Sequence, residues 1–174
     1  MIRIQKILVT LIILISIVIG SLRLLCFLYP NDYSLAVKKY SYMYDVPDEL
    51  VFSVIKAESK FDKDVVSKKG AVGLMQIMEK TGEWASEKIG KVDYSRNSLY
   101  EPEVNIEIGC FYLSYLLDLY EGDIRCAVAA YNAGPANVDK WLSDKKTLDK
   151  IPFPETEEYV KKVMENIKIY EFLY

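Results

Sequence analysis

The sequence predicts an all-α protein in which a helical domain follows a single N-terminal apolar helix. Apolar residues recur at helical spacing through most of the chain, as in residues 104–119, where they line one face. No segment shows the convincing alternation of apolar and polar residues that marks a half-buried β-strand. The length of 174 residues allows one sizeable core, so we expect one domain after the apolar helix.

The first element is an apolar run over residues 7–29, broken by a single charge at Arg23. A transmembrane helix needs roughly 20 apolar residues, and the run reaches that length if Arg23 extends to the membrane interface. Arg3 and Lys6 precede it, which predicts a cytoplasmic N-terminus and a domain outside the cytoplasm. We therefore expect residues 1–29 to anchor the chain in the cell membrane as a single pass. A cleaved signal sequence is the alternative, although an Ala-x-Ala-like cleavage site is absent.

Helix start and stop signals divide the rest of the chain. Asn31 or Asp32 can cap a first helix that continues through Tyr44. Pro47 suits the first position of a second helix, which reaches Ser59. The same signals predict later helices at residues 74–89 (interrupted near Gly82), 102–119, 124–131, 136–142 and 155–172.

Composition changes sharply after the apolar run. Residues 30–174 hold 25 acidic and 19 basic residues, a formal charge of −6. A negative surface is poorly suited to nucleic acids, so no nucleic-acid partner is expected. Cys110 and Cys126 lie in apolar helical stretches, where buried free thiols are expected, although the two could pair.

The chain contains no histidine. This removes Ser-His-Asp and Cys-His nucleophilic schemes and also the commonest metal ligand. No phosphate loop, dinucleotide-binding glycine pattern or Cys-x-x-Cys pair is present either. We expect neither a metal nor a cofactor, and any chemistry must depend on carboxylates, amides and hydroxyls.

One carboxylate stands where a surface glutamate would not be expected. Val51, Val54 and Ile55 precede Glu58 by seven, four and three positions, so all four share one helix face. Burial among aliphatic side chains raises the pKa of a carboxyl group, and a carboxyl that is protonated near neutral pH can act as a general acid. The same spacing also fits a glutamate at a frayed helix end that points into solvent.

Five segments of the chain carry a family pattern: residues 55–61 (IKAESKF), 70–78 (GAVGLMQIM), 105–117 (NIEIGCFYLSYLL), 129–135 (AAYNAGP) and 151–160 (IPFPETEEYV). Their order and content resemble the catalytic domain of soluble lytic transglycosylases, the lysozyme-like family that cleaves murein. The resemblance implies a lysozyme-like fold for residues 46–174, with residues 30–45 as a linker and first helix. Glu79 departs from the pattern, because many members have proline there.

The resemblance also implies site residues. Glu58 would be the catalytic general acid and base, and the residues binding the glycan would be Ser59, Met75, Gln76, Tyr131, Asn132 and Glu155. The amide of Gln76 suits a sugar acetamido group, and Tyr131 offers both an apolar ring and a hydroxyl. Met75 fits the role of core filler equally well.

The implied reaction is cleavage of the MurNAc-β-1,4-GlcNAc bond of peptidoglycan with formation of 1,6-anhydro-MurNAc. One alternative is a hydrolytic lysozyme on the same fold, in which water replaces the muramic C6 hydroxyl. The other is a non-catalytic, anchored glycan-binding or scaffold protein of the cell envelope. The expected partners are peptidoglycan glycan strands and the membrane. Proteins of an envelope assembly are further candidate partners.

Overall fold

The computed structural model describes residues 2–143 and 147–174, which divide into two units. The first unit ends at Asn31 and contains one helix, α1 (Ile2–Leu28). Within it, Gln5–Leu28 is a segment of 24 residues with a mean hydropathy of 2.7, long and apolar enough to cross a membrane. These properties agree with the predicted anchor, and a signal sequence would share them.

The second unit, Asp32–Phe172, is helical, which confirms the predicted fold class. Across the described residues there is no β-strand, only two isolated antiparallel bridges that join Val72 to Val66 and to Ile77. The helices of this unit are α2 (Ser34–Tyr44), α3 (Asp48–Glu58), α4 (Glu79–Ile89), a 3-10 helix (Arg96–Tyr100), α5 (Pro102–Leu119), α6 (Ile124–Ala133), α7 (Pro135–Leu142) and α8 (Pro154–Leu173).

Helix α5 is the centre of the second unit. It contacts α2, α4, α6 and the 3-10 helix, so its apolar stripe is covered on several sides. Cys110 of α5 and Cys126 of α6 are buried and free, as expected from their apolar surroundings. The fully buried side chains of α5 include Ile106, Ile108, Leu113 and Leu116.

Helix α8 packs on α3, the helix that ends at Glu58. The rings of Phe52 and Tyr170 stack with their centroids 5.4 Å apart. Asn166 donates from Nδ2 to the carbonyl oxygen of Ser53 over 3.4 Å, and both residues are buried. A stacked aromatic pair and a buried hydrogen bond therefore hold α3 against α8 and leave its C-terminal end at a defined place.

The helix predicted over residues 74–89 begins at Glu79 instead. The preceding residues form a tight turn in which the backbone amides of Val72 and Ile77 each donate to the other residue's carbonyl oxygen over 3.0 Å. Gln76 lies in the left-handed region with φ 49°, which a right-handed helix does not continue through. Glu79 opens α4, where its negative charge faces the positive end of the helix dipole, so the position tolerates the loss of proline.

The buried side chain of Asn105 ties this turn to α5. Its Oδ1 accepts from the Met75 amide over 2.8 Å, and its Nδ2 donates to the carbonyl oxygens of Val72 and Leu99 over 2.9 and 2.8 Å. Gly73 lies directly against the Asn105 amide with φ +81°, and a Cβ at this glycine would collide with it. One side chain thus provides a partner for the Met75 amide and the Leu99 carbonyl oxygen and a second donor for the Val72 carbonyl oxygen, which also accepts from Ile77.

Three expected helix boundaries differ from the structure. Gly82 does not interrupt α4, because its missing Cβ leaves the space that the Tyr94 side chain occupies. Helix α2 begins at Ser34 rather than after Asn31 or Asp32, since Tyr33 takes a left-handed conformation with φ 62°. Pro47 precedes the first residue of α3 instead of occupying it.

Asn105→Leu should lower the free energy of unfolding by about 3 kcal/mol, because the substitution removes three buried hydrogen bonds and takes away the side-chain partner of the Met75 amide and of the Leu99 carbonyl oxygen. Urea unfolding of the full-length protein in non-ionic detergent, followed by near-ultraviolet circular dichroism, measures the change. Asn97→Leu is the matched control, since Asn97 is exposed and its replacement should alter stability by less than about 0.5 kcal/mol. Equal stability of the two variants would contradict the role of Asn105.

Candidate active site

Glu58 is the last residue of α3 and stands at the edge of the core. Val51, Val54 and Ile55 on the same face are each 0% exposed, while Glu58 itself is partly exposed. The helix ends here because Lys60 and Phe61 adopt positive φ angles of 53° and 69° and turn the chain back. The side chain is therefore presented from a rigid, buried helix end rather than from a frayed one.

Burial raises the pKa of Glu58 from its ordinary value of 4.5 to about 7. A hydrogen bond from Tyr159 and the positive charge of Lys162 act in the opposite direction and lower the pKa. Desolvation is the larger effect, so both protonation states are populated near neutral pH. A carboxyl group with this pKa can donate a proton in one step and accept one in the next.

Tyr159 of α8 belongs to the site although it was absent from the predicted set. Its hydroxyl is buried beside the Glu58 carboxyl and interacts with it, although in the part of the chain that the structure describes it makes no well-formed hydrogen bond. Burial and the charge of Glu58 hold the pKa of Tyr159 well above its ordinary value, so the phenol stays protonated and can only donate to the carboxylate. The available signal was its position four residues after Glu155, which puts both on one helix face.

Lys162, three residues further along α8, also reaches the end of α3. Its Nζ donates to the carbonyl oxygen of Ala57 over 3.0 Å. A cation at the C-terminal end of a helix interacts favourably with the helix dipole and with an otherwise unpaired carbonyl group. Lys162 thereby fastens α8 to the residue before Glu58 while its charge lowers the pKa of that carboxyl.

Tyr131 of α6 lies close to Glu58, as the sequence led us to expect. The charge of Glu58 contributes to a pKa of Tyr131 that burial holds well above its ordinary value. The Tyr131 hydroxyl donates to the Met75 carbonyl oxygen over 2.8 Å, and its ring contacts that of Tyr112 with centroids 5.4 Å apart. The ring is partly exposed, so an apolar surface remains open to a ligand.

The expectation that Met75 lines a glycan cleft is wrong for its side chain. Met75 is 0% exposed, and its sulfur rests against Gly109 of α5, where a Cβ would collide with it. Its thioether fills the core, and only its carbonyl oxygen serves the site, as the acceptor for Tyr131. In the sequence, an apolar residue next to Gln76 fits a cleft wall and a core position equally well, so the pattern did not distinguish the two.

Gln76 is partly exposed, but its amide nitrogen is occupied within the turn. Nε2 donates to the carbonyl oxygens of Val65 and Gly73 over 3.0 and 2.9 Å. Both hydrogens of the amide group are used by these two bonds, which leaves the side-chain oxygen as the group that a ligand can address. Gln76 thus shapes the turn and offers an acceptor, where a donor and an acceptor were expected.

Ser59 does not face a ligand. It is 6% exposed, its Oγ donates to the Ile55 carbonyl oxygen over 3.2 Å, and the same oxygen accepts from the Phe61 amide over 3.1 Å. These bonds close the turn that ends α3, so the prediction that Ser59 binds substrate is wrong. A hydroxyl that bonds its own backbone is common at such turns, and sequence alone does not reveal which way it points.

Asn132 and Glu155 lie on the exposed side of the contact between α6 and α8. Asn132 Oδ1 accepts from the Thr156 hydroxyl over 2.8 Å, which ties the end of α6 to the first turn of α8. Glu155 is exposed in that first turn, one helical turn before Tyr159. Both residues have side chains within reach of solvent, and their role in ligand binding stays a prediction.

Residues 36–154 match the family model described as the transglycosylase SLT domain. The chain belongs to this family. It is 34% identical over 144 residues to the soluble lytic murein transglycosylase of Escherichia coli (strain K12), covering 78% of this chain and 22% of that protein. It is 32% identical over 126 residues to the membrane-bound lytic murein transglycosylase C of Edwardsiella ictaluri, covering 63% of this chain and 33% of the relative.

A solved member of the SLT family shares the fold. The lytic transglycosylase Slt of Pseudomonas aeruginosa, studied as an inactive mutant, superposes with a TM-score of 0.81 at 34% identity and covers 85% of this chain and 25% of that one. The present chain therefore spans about a quarter or less of the length of these soluble relatives. The matched segment contains Glu58 and Tyr131 and ends at Pro154, one residue before Glu155 and five before Tyr159.

Glu58→Gln should stabilise the protein at alkaline pH. Burial raises the folded-state pKa above the unfolded value, so the stabilising protonated form is lost as pH rises from about 4.5 through about 7. The neutral amide avoids that loss, and we expect it to be more stable by about 1–2 kcal/mol near pH 8, with the difference vanishing below about pH 4.5. Urea unfolding at both pH values measures this, and the exposed Glu87→Gln variant should show no such pH-dependent gain.

Tyr159→Phe should raise the pKa of Glu58 above about 7, because the substitution removes the hydrogen bond that favours the carboxylate. Carbon-13 NMR of selectively labelled glutamate carboxyl groups follows the titration, with Glu58→Gln to assign the signal. Tyr94→Phe is the matched control, since it removes a buried tyrosine hydroxyl whose charged neighbours are Glu83, Glu79 and Arg96 rather than Glu58. A pKa of Glu58 that falls or stays unchanged in Tyr159→Phe would contradict the assignment.

Proposed function

We propose that this chain is a peptidoglycan lytic transglycosylase that cleaves the MurNAc-β-1,4-GlcNAc bond and forms 1,6-anhydro-MurNAc. The observation that carries the proposal is the environment of Glu58, a carboxyl with a pKa of about 7 at the rigid end of α3. Membership of the SLT family supports it, since relatives with 32–34% identity are named lytic murein transglycosylases.

In the first step, protonated Glu58 donates its proton to the glycosidic oxygen as the bond to the anomeric carbon breaks. Positive charge develops at that carbon, and the acetamido oxygen of the same sugar stabilises it. Tyr159 donates to the carboxylate that remains on Glu58 and so stabilises the form that the step produces. The buried phenol is a positioning residue here, because it acts through Glu58 rather than on the sugar.

In the second step, the Glu58 carboxylate accepts the proton of the muramic C6 hydroxyl while that oxygen attacks the anomeric carbon. The nucleophile is tethered to the reacting sugar, and well-oriented intramolecular attack corresponds to effective molarities of about 10⁵–10⁸ M. Hydrolysis with inversion would instead need a second carboxylate that activates water. Glu79 and Glu155, exposed in the first turns of α4 and α8, are the carboxylates that a hydrolytic route would use.

We also infer that α1 anchors the enzyme in the cell membrane with the helical domain outside the cytoplasm. The span Gln5–Leu28, the positive residues Arg3 and Lys6 at its N-terminal end, and the membrane-bound relatives support this arrangement. An anchored domain would act on glycan strands within reach of the membrane surface.

Glu58→Gln should abolish nearly all release of muropeptides from purified murein, because the amide keeps the shape of the side chain but cannot donate a proton as an acid. General acid–base catalysis typically contributes about 10²–10⁴-fold, so a loss under about tenfold would contradict the role of Glu58. The measurement is mass spectrometry of products released by the full-length enzyme in detergent. Glu87→Gln, which alters an exposed glutamate of α4, should retain activity.

The same assay in ¹⁸O-labelled water distinguishes the two routes. Intramolecular closure adds no water, so the products should end in 1,6-anhydro-MurNAc and carry no heavy oxygen. Products with one heavy oxygen at the reducing end would replace the lytic mechanism by hydrolysis on the same fold. Absence of cleavage by the parent enzyme, with its fold intact, would support the non-catalytic scaffold alternative.

A further inference from the structure

Four aromatic side chains from α4 and α5 form one continuous group, which we call the aromatic ridge: Trp84, Phe111, Tyr112 and Tyr115. Trp84 lies at its centre, with ring centroids 4.9 Å from Tyr115, 5.5 Å from Phe111 and 6.1 Å from Tyr112. The rings of Tyr112 and Tyr115 are nearly parallel, at an interplanar angle of 13°. Mutual edge and face contacts of this kind hold the rings in defined orientations.

The aromatic ridge is open on one side. Tyr115 is 40% exposed, and Trp84 and Tyr112 are partly exposed. Together with Lys80 and Thr81 these rings line a surface cavity of about 250 Å³. Core packing alone would bury the rings, whereas a shallow cavity with aromatic walls and a polar rim is typical of a ligand subsite.

The cavity is linked to the candidate active site through Tyr112, which lines the cavity and contacts Tyr131. Tyr112 on the aromatic ridge contacts the ring of Tyr131, which in turn lies close enough to Glu58 to feel its charge. A chain of sugars that passes Glu58 and Tyr131 would meet Tyr112 next and then reach Trp84 and Tyr115. Aromatic surface therefore extends from the reacting position outward along α5.

The chemical groups on the aromatic ridge indicate which kind of ligand it can bind. Tyr112 and Tyr115 carry phenol groups and Trp84 carries an indole N–H, so each ring combines an apolar face with a polar edge. A pyranose ring has the complementary pattern of an apolar face and hydroxyl or acetamido groups at its edge. The neighbouring surface of α4 exposes Glu79, Glu83 and Glu87, which disfavours an anionic lipid surface there.

We propose that Trp84, Tyr112 and Tyr115 form a subsite for N-acetylated sugar rings of a glycan strand that extends away from Glu58. The inference rests on the proposed function for its substrate class. The subsite makes affinity depend on strand length, because only a long oligosaccharide covers both the Glu58 region and the aromatic ridge. It also directs the enzyme toward glycan interiors rather than toward very short fragments.

The test uses the full-length Glu58→Gln protein in detergent, so that the probe is not cleaved, with the hexamer of N-acetylglucosamine as the probe in isothermal titration calorimetry. Tyr115→Ala and Trp84→Ala should each weaken hexamer binding by about tenfold. Tyr42→Ala is the matched control, because Tyr42 is a 93% exposed tyrosine of α2 away from the ridge, and it should leave affinity unchanged. Unchanged hexamer affinity in the ridge variants, or no hexamer binding by the parent, would overturn the proposal.

A second measurement covers the case in which a ridge variant fails to fold. In the Trp141→Phe variant, Trp84 is the sole tryptophan, so hexamer binding should shift the tryptophan fluorescence of the protein. An unaltered spectrum at a saturating hexamer concentration would overturn the proposal. Unchanged affinity accompanied by a dimer-to-monomer shift of Tyr115→Ala in analytical ultracentrifugation would instead assign the aromatic ridge to contacts between two copies. Binding and cleavage are read separately, so ridge-dependent hexamer binding without 1,6-anhydro products would reject the proposed function while leaving the subsite in place.

Discussion

The three hydrogen bonds of the Asn105 side chain determine how the turn before α4 is built, and much of the candidate site depends on that turn. Without them the Met75 amide and the Leu99 carbonyl group would lose their side-chain partner, which would raise the free energy of the tight turn. With them the chain places Met75 in the core with its carbonyl oxygen directed at Tyr131. A buried polar residue in the first turn of α5 therefore helps to position Tyr131, the neighbour of Glu58, through the backbone of the turn.

Glu58 shows the conflict between stability and chemistry. Burial raises its pKa to about 7, which disfavours the charged state in the fold and prepares the carboxyl for proton transfer. Helix α8 limits this rise in the pKa of Glu58, since its residues Tyr159 and Lys162 both favour the carboxylate. The resulting pKa is the balance of two elements that are about a hundred residues apart in sequence, so neither element alone determines it.

Helix α5 serves two purposes on different faces. Its apolar stripe builds the core, Gly109 leaves room for the Met75 thioether, and Asn105 holds the turn. On another face it presents Tyr112 and Tyr115 to the surface beside α4. One rigid helix thus connects the stability of the domain to the surface that we propose for the glycan strand, and side chains on such an element are held more precisely than side chains on a loop.

Local signals in the sequence determined the helical fold, the apolar N-terminal span and the inward face of α3, because periodicity and capping act within a few residues. The Asp123 side chain, for example, accepts from the Cys126 amide over 2.9 Å and so caps the start of α6. Periodicity placed Glu58 on that inward face, and the family resemblance pointed to Tyr131, which lies close to Glu58 in the structure. They failed for Ser59 and Met75, whose side chains turn to their own backbone and to the core, and for the start of α4, where an apolar run fits a turn as well as a helix. Only the tertiary structure determines the pKa of Glu58, the effect of Tyr159 on that pKa, and the two hydrogen bonds that occupy the amide nitrogen of Gln76. Each of these depends on distances between segments that sequence spacing does not encode.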